Sequence, residues 1–306
     1  MLTAVLGHTG RPPVPHDLWG AWDLHPLLLL GLVAAVWSHR RGRAGGPQTA
    51  GERWRRHAFV GAIAAIAVAV VSPLDALSGA LASAHMVQHL LLVLVAAPLL
   101  AWSAPGATLV HALPPVAHRA IARWRSRLGL TRRNLRLLRE PVAVWLLHVG
   151  ALWFWHGAGP YGAALDDELV HVVEHSSFLV TGVLFWRVVV GSRAAGRVSN
   201  GFGLLLVFTM GLQSVFLSLL LTFARSPWYT GYAATTGPWG IEPLADQQLA
   251  GVLMWVPASL VHLGAALTLL VAWIQSTEHD QVPDRSPPDG GRADEGWAVG
   301  HVRGTT

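Results

Sequence analysis

The sequence has 306 residues, 52% of them hydrophobic and only 13% charged, with a mean hydropathy of +0.42. Soluble domains carry roughly a quarter charged residues, so this composition excludes a soluble enzyme and points to a bilayer as the solvent. Cysteine is absent, which excludes disulfides, iron–sulfur clusters and thiolate metal sites, and the net charge of +5 comes from arginine alone, because there is no lysine.

The opening MLTAVLGHTGRPP has too short an apolar core, and no basic flank, to read as a signal peptide. Apolar stretches near the 20 or so residues that cross a hydrocarbon core as a helix then recur. They predict seven spans, at about 18–38, 57–72, 84–103, 141–157, 169–190, 201–224 and 247–274. The first contains Asp23 and His25, and the second and fourth are short.

Arginine alternates between the loops. Arg40, Arg41, Arg43, Arg53, Arg55 and Arg56 follow the first span, eight arginines from Arg119 to Arg139 follow the third, and Arg187, Arg193 and Arg197 follow the fifth. The other loops carry Asp75, then Asp166, Asp167 and Glu168, then Arg225 balanced by Glu242 and Asp246. The positive-inside rule therefore predicts an N-terminus outside and a C-terminus in the cytoplasm. Arginines confined to loops between apolar runs read as contacts with a membrane surface, not with nucleic acid.

The expected fold is all-α: one bundle of seven transmembrane helices over residues 1–274, followed by a disordered cytoplasmic tail over 275–306, rich in Pro, Gly, Asp and Arg. Trp228, Tyr229, Tyr232 and Trp239 are expected at the membrane interface. Residues 116–139 read equally as a basic amphipathic helix on the inner leaflet and as a solvated basic loop. Pro98 and Pro257 are expected to kink the third and seventh spans.

Sixteen histidines are many for such a chain, and ionisable groups inside spans are costly and usually functional. AHMVQHLLL opens the third span with His85 and His89, and HVVEHSSF opens the fifth with His171 and His175 beside Glu174. Residues four apart share one helix face. Both spans run inward, so both pairs lie at the outer end; the fourth runs outward and brings His156, in WFWHG, to the same depth. The first span places His25 there, and DQQLAGVLMW at the start of the seventh adds Asp246, Gln247 and Met254.

Imidazole suits copper, zinc and iron, and a thioether tilts the choice toward Cu(I). The expected metal ligands are thus His85, His89, His171, His175, His156 and Met254, with Glu174, Asp246 and Gln247 hydrogen-bonding the ligands. Duller readings stand beside these. A His-x-x-x-His pair serves interhelical hydrogen bonding as well, Met254 serves packing, and His25 between Asp23 and Pro26 serves as a cap. Hydrogen-bonded packing is the default for His148 and His262, which lie deeper.

Four motifs in order, HMVQH at 85–89, WH followed by PY at 155–161, HVVEHSSF at 171–178 and DQQLAGVLMWVP at 246–257, resemble the CtaG family of cytochrome c oxidase assembly factors over about residues 80–275. The resemblance implies a multi-pass plasma-membrane protein, not an enzyme, that helps build a haem–copper oxidase at a copper-insertion step. It also carries over His85, His89, His156, His171, Glu174, His175, Asp246, Gln247 and Met254 as family motif residues. The implied partners are an oxidase subunit in the same membrane and an external copper donor, with membrane lipid around the bundle. Two other readings stay open: a b-type haem protein ligated by histidines on facing helices, and a copper transporter whose path would use Gln88, Gln213, His148 and His262.

Overall fold

A computed structural model describes residues 12–42, 49–104, 140–194 and 198–281, with six isolated positions between 119 and 138. The basic stretch 116–139 otherwise lies outside the described residues. Helices dominate, and there is no strand among the described residues. In chain order they are α1 (Pro26–Gly42), α2 (Ala50–Val70), α3 (Pro73–Ser78), α4 (Ala82–Ser103), α5 (Pro141–His156), α6 (Ala158–Asp166), α7 (Glu168–Ala194), α8 (Asn200–Thr222) and α9 (Pro243–Gln281).

A helix stands at each of the seven expected places, but they are not equally suited to a bilayer. Four, α4, α7, α8 and α9, are long and apolar enough to cross, and α5 with α6 makes a fifth if the bent pair is one span. Helix α1 has only 17 residues, and the first turns of α2 hold Glu52, Arg53, Arg55 and Arg56. The chain is thus a multi-pass membrane protein with four to five such helices among the described residues. Leu146, Phe208, Phe216, Leu260, Leu263 and Leu267 are exposed, as expected of side chains facing lipid.

Local chemistry sets the helix starts. Thr49 accepts from the backbone N–H of Glu52 at 3.3 Å, the first half of a capping box. Ser72 and Ser199 cap α3 and α8 in the same way. The proline at 98 cannot donate to the preceding turn, and α4 widens into a π-helical segment over Leu91–Ala96 just before it. Helix α9 runs through Pro257 without a break and continues to Gln281, so 275–281 are helical; 282–306 lie outside the described residues.

Two features shape the bundle around its centre. The chain bends by 72° between α5 and α6, at Gly157, which folds α6 across one end of the bundle. Helices α8 and α9 approach closely at Gly251, where a Cβ would run into the Thr222 hydroxyl and stand 2.8 Å from the Ser218 carbonyl. Small residues at such crossings let backbones meet in membranes. The N-terminal ends of α4, α7 and α9 and the C-terminal ends of α5 and α8 share one end of the bundle, and the histidines gather there.

Candidate metal centre

The first turn of α4 is fixed from far away in sequence. Asp246, fully buried at the start of α9, accepts from the backbone N–H of Ala82 at 2.6 Å and of Ser83 at 3.2 Å, and from the Ser83 hydroxyl. A carboxylate at a helix N-terminus satisfies donors that the helix leaves free and suits its dipole. His85 and His89 follow on that anchored turn. On α7, Asp167 accepts from the Val170 N–H at 3.0 Å, and His171 and His175 follow one turn apart.

The two helices present these rings to one another. Ring centroids lie 4.4 Å apart for His85 and His89, 4.1 Å for His171 and His175, 5.1 Å for His85 and His171, and 5.1 Å for His89 and His175. One ligand atom each from His85, His171, Glu174 and His175 falls within 4.8 Å of all the others. Donors about 2 Å from one tetrahedral ion stand roughly 3.3 Å apart, so small rotamer changes suffice for these four to share a cation. Glu174 therefore sits inside the group instead of orienting it from outside. His89 stands beside it, with Nε2 3.6 Å from a Glu174 oxygen.

The Tyr232 hydroxyl donates its one proton to the Ser78 carbonyl at 2.9 Å. Its 3.2 Å contact with His85 Nδ1 must then be donated by the ring, and Nε2 is the nitrogen that faces Glu174. That nitrogen lies 3.4 Å from a Glu174 oxygen, farther than the roughly 2.7–2.9 Å of a charge-assisted hydrogen bond. Neither Glu174 oxygen has a hydrogen-bond partner, nor does either nitrogen of His89, and the Nε2 atoms of His85 and His175 have none. Glu174 is fully buried. A buried carboxylate with no hydrogen-bond partner on either oxygen is costly without a cation beside it.

All three tyrosines of the chain roof this group. Tyr161 stacks on Tyr229 with centroids 3.8 Å apart and lies 4.9 Å from the His85 ring, and its hydroxyl donates to Tyr232 at 3.1 Å. Tyr229 donates to the His156 carbonyl at 3.1 Å. Burial pushes the Tyr229 and Tyr232 phenols up, so both remain donors. Tyr229 and Tyr232, expected at the membrane interface, are buried within the protein. Their rarity was the available signal, three tyrosines against fifteen tryptophans.

The remaining expected residues take distinct places. His156 donates from Nδ1 to the Leu152 carbonyl at 2.7 Å, and its ring lies 5.9 Å from His89, on the far side of the group. Gln247 accepts from the Trp228 and Tyr229 backbone N–H groups and so holds the tyrosine loop down. Met254 is buried and lines a cavity beneath His89 and His156. His25 stays apart, half-buried, with its backbone N–H donating to Asp23. Gln88 and Gln213 are engaged elsewhere: the first donates to Ala69 and Asp75, and the second accepts from Trp153.

A family model described as cytochrome c oxidase caa3 assembly factor (Caa3_CtaG) matches residues 31–276. Among curated proteins, the chain is similar to the uncharacterized protein Mb0105 of Mycobacterium bovis and the uncharacterized protein MT0111 of Mycobacterium tuberculosis. Each is 24% identical over 276 residues, covering 86% of this chain and 41% of the relative. The chain thus spans about two fifths of the length of the curated relatives it matches. No solved structure matches it.

Proposed function

Because this chain belongs to the cytochrome c oxidase caa3 assembly factor family, we propose that it holds copper at the histidine cluster and hands it to an oxidase subunit in the same membrane. The observation that carries this reading is the fully buried Glu174 carboxylate, neither oxygen of which has a hydrogen-bond partner although His85 Nε2 stands 3.4 Å away. Copper is cargo in this account. His85, His171, Glu174 and His175 hold it, His89 and His156 flank it, and Asp246 keeps the first turn of α4 in register.

In this reading the bundle crosses the plasma membrane seven times, with α1 and α2 as its short spans, and the arginine-poor loops set the cluster at the outer face. Copper then reaches it from an external donor, and the tyrosine roof lies between the cluster and the aqueous phase. Imidazole suits copper as a ligand. Imidazole centroids 4.1–5.9 Å apart leave no slot for a macrocycle, which counts against haem between facing histidines.

The test is genetic. Loss of the protein lowers oxidase activity while haem synthesis continues, and added external copper restores part of it. His85→Ala and His175→Ala each behave like the deletion. Variants that accumulate normally and keep full oxidase activity would end the copper-delivery reading.

A further inference from the structure

Below the cluster lies a cavity of about 40 Å³, room for more than one water-sized sphere at roughly 10–15 Å³ each. His89 and His156 line its upper end, and His148 and His262 line it deeper in the bundle. Eight residues separate His148 from His156 on α5, and eight separate His262 from Met254 on α9, each about 12 Å of helix rise. The cavity therefore leads away from the cluster along the bundle. Met86, Met210 and Met254 all line it, and these are the only methionines besides Met1 in the whole chain.

The deep histidines are set for ligation by their hydrogen bonds. His262 donates from Nδ1 to the Ala258 carbonyl at 2.7 Å. Thr181 donates its hydroxyl proton to the Ser177 carbonyl at 2.7 Å, so its 2.9 Å contact with His148 Nδ1 is donated by the ring. Both rings are thereby fixed as the tautomer whose Nε2 carries a free lone pair. A backbone or hydroxyl partner on one ring nitrogen is also the usual support of a metal-binding histidine. Hydrogen-bonded packing alone would explain one such residue; it does not explain two around a cavity that has also gathered every internal thioether.

We propose a second, deeper station for a soft monovalent cation in this cavity, built from the Nε2 atoms of His148 and His262 and the thioether of Met210, whose neighbour Gly211 packs against His262, and reached from the cluster past His89, His156 and Met254. Neutral imidazole and thioether ligands favour Cu(I) over harder divalent ions. The proposal rests on the reading of the cluster as the point where the metal arrives.

The experiment uses the full-length protein in lipid nanodiscs, loaded with Ag(I) as a redox-inert probe with the charge and softness of Cu(I), and read by stoichiometry and silver-edge X-ray absorption. The expected result is two silver ions per chain, with sulfur neighbours in the wild type. In Met210→Leu, a change that conserves volume, the sulfur signal and one equivalent are lost. The double variant His85→Ala/His175→Ala should keep the sulfur-bound silver and lose the other. Failure of the cluster reading is therefore seen separately, as a missing nitrogen-only equivalent with the sulfur-bound silver intact. Wild-type protein at saturating Ag(I) with only nitrogen or oxygen neighbours would overturn the second station, and that measurement needs no variant to fold.

Discussion

Replacing Glu174 by Gln separates a metal site from a structural ion-pair network, because the two accounts predict opposite changes in the metal-free protein. The carboxylate is fully buried, has no hydrogen-bond partner on either oxygen, and approaches His85 and His89 only to 3.4 and 3.6 Å. If a metal supplies its missing partner, the metal-free wild type carries an uncompensated buried charge, and Glu174→Gln leaves stability unchanged or raises it. If protonated histidines supply that partner, the substitution breaks a buried pair at a cost of about 3–5 kcal/mol. The metal-dependent part has its own magnitude. Copper at 100 times the dissociation constant stabilises the wild type by about 2.7 kcal/mol; a 100-fold weaker site at the same concentration gains only about 0.4 kcal/mol. The difference, about 2 kcal/mol, corresponds to roughly 4–8 °C in Tm. Thermal unfolding followed by tryptophan fluorescence, with and without Cu(I), reads both effects. A metal-free variant that melts far below wild type, or one that copper stabilises as much as wild type, would refute the reasoning.

Asp246→Ala removes the acceptor of three donors at the start of α4, and at about 1–3 kcal/mol per unsatisfied buried donor it should cost roughly 3–9 kcal/mol, measured as a lowered Tm, and weaken metal binding through displacement of His85. Gly251→Ala drives a methyl group into the Thr222 hydroxyl; overpacking of this kind costs about 1–3 kcal/mol, and an unchanged melting temperature would show that α8 and α9 separate freely. Because the chain has no cysteine, Thr230→Cys should react with an impermeant thiol reagent in intact cells and Gly51→Cys should not; both residues are exposed, and the reverse pattern would invert the orientation.

The helices and the histidine pairs were legible in the sequence for a simple reason. Apolar length marks a helix in lipid, and a four-residue interval places His85 with His89, and His171 with His175, on one face whatever the neighbours do. What periodicity lacks is the rotation of each helix about its own axis and the partners brought in from elsewhere. That rotation is what sets Glu174 among the rings. Asp246 looked like a group for the histidines, but it serves a helix end 164 residues away, which no local pattern encodes. Tyr229 and Tyr232 looked interfacial because they lie in an aromatic loop; Gln247 binds that loop's backbone and turns it inward. The shortfall in clear spans has a local origin, since α1 is short and charge occupies the first turns of α2.

The copper account is tested most directly by metal analysis and an optical spectrum of the protein purified from its own membranes. Copper without a haem Soret band, and little copper in His85→Ala/His175→Ala purified in parallel, is the predicted result. A Soret band with stoichiometric iron, or equal copper in the wild type and the double variant, would contradict it.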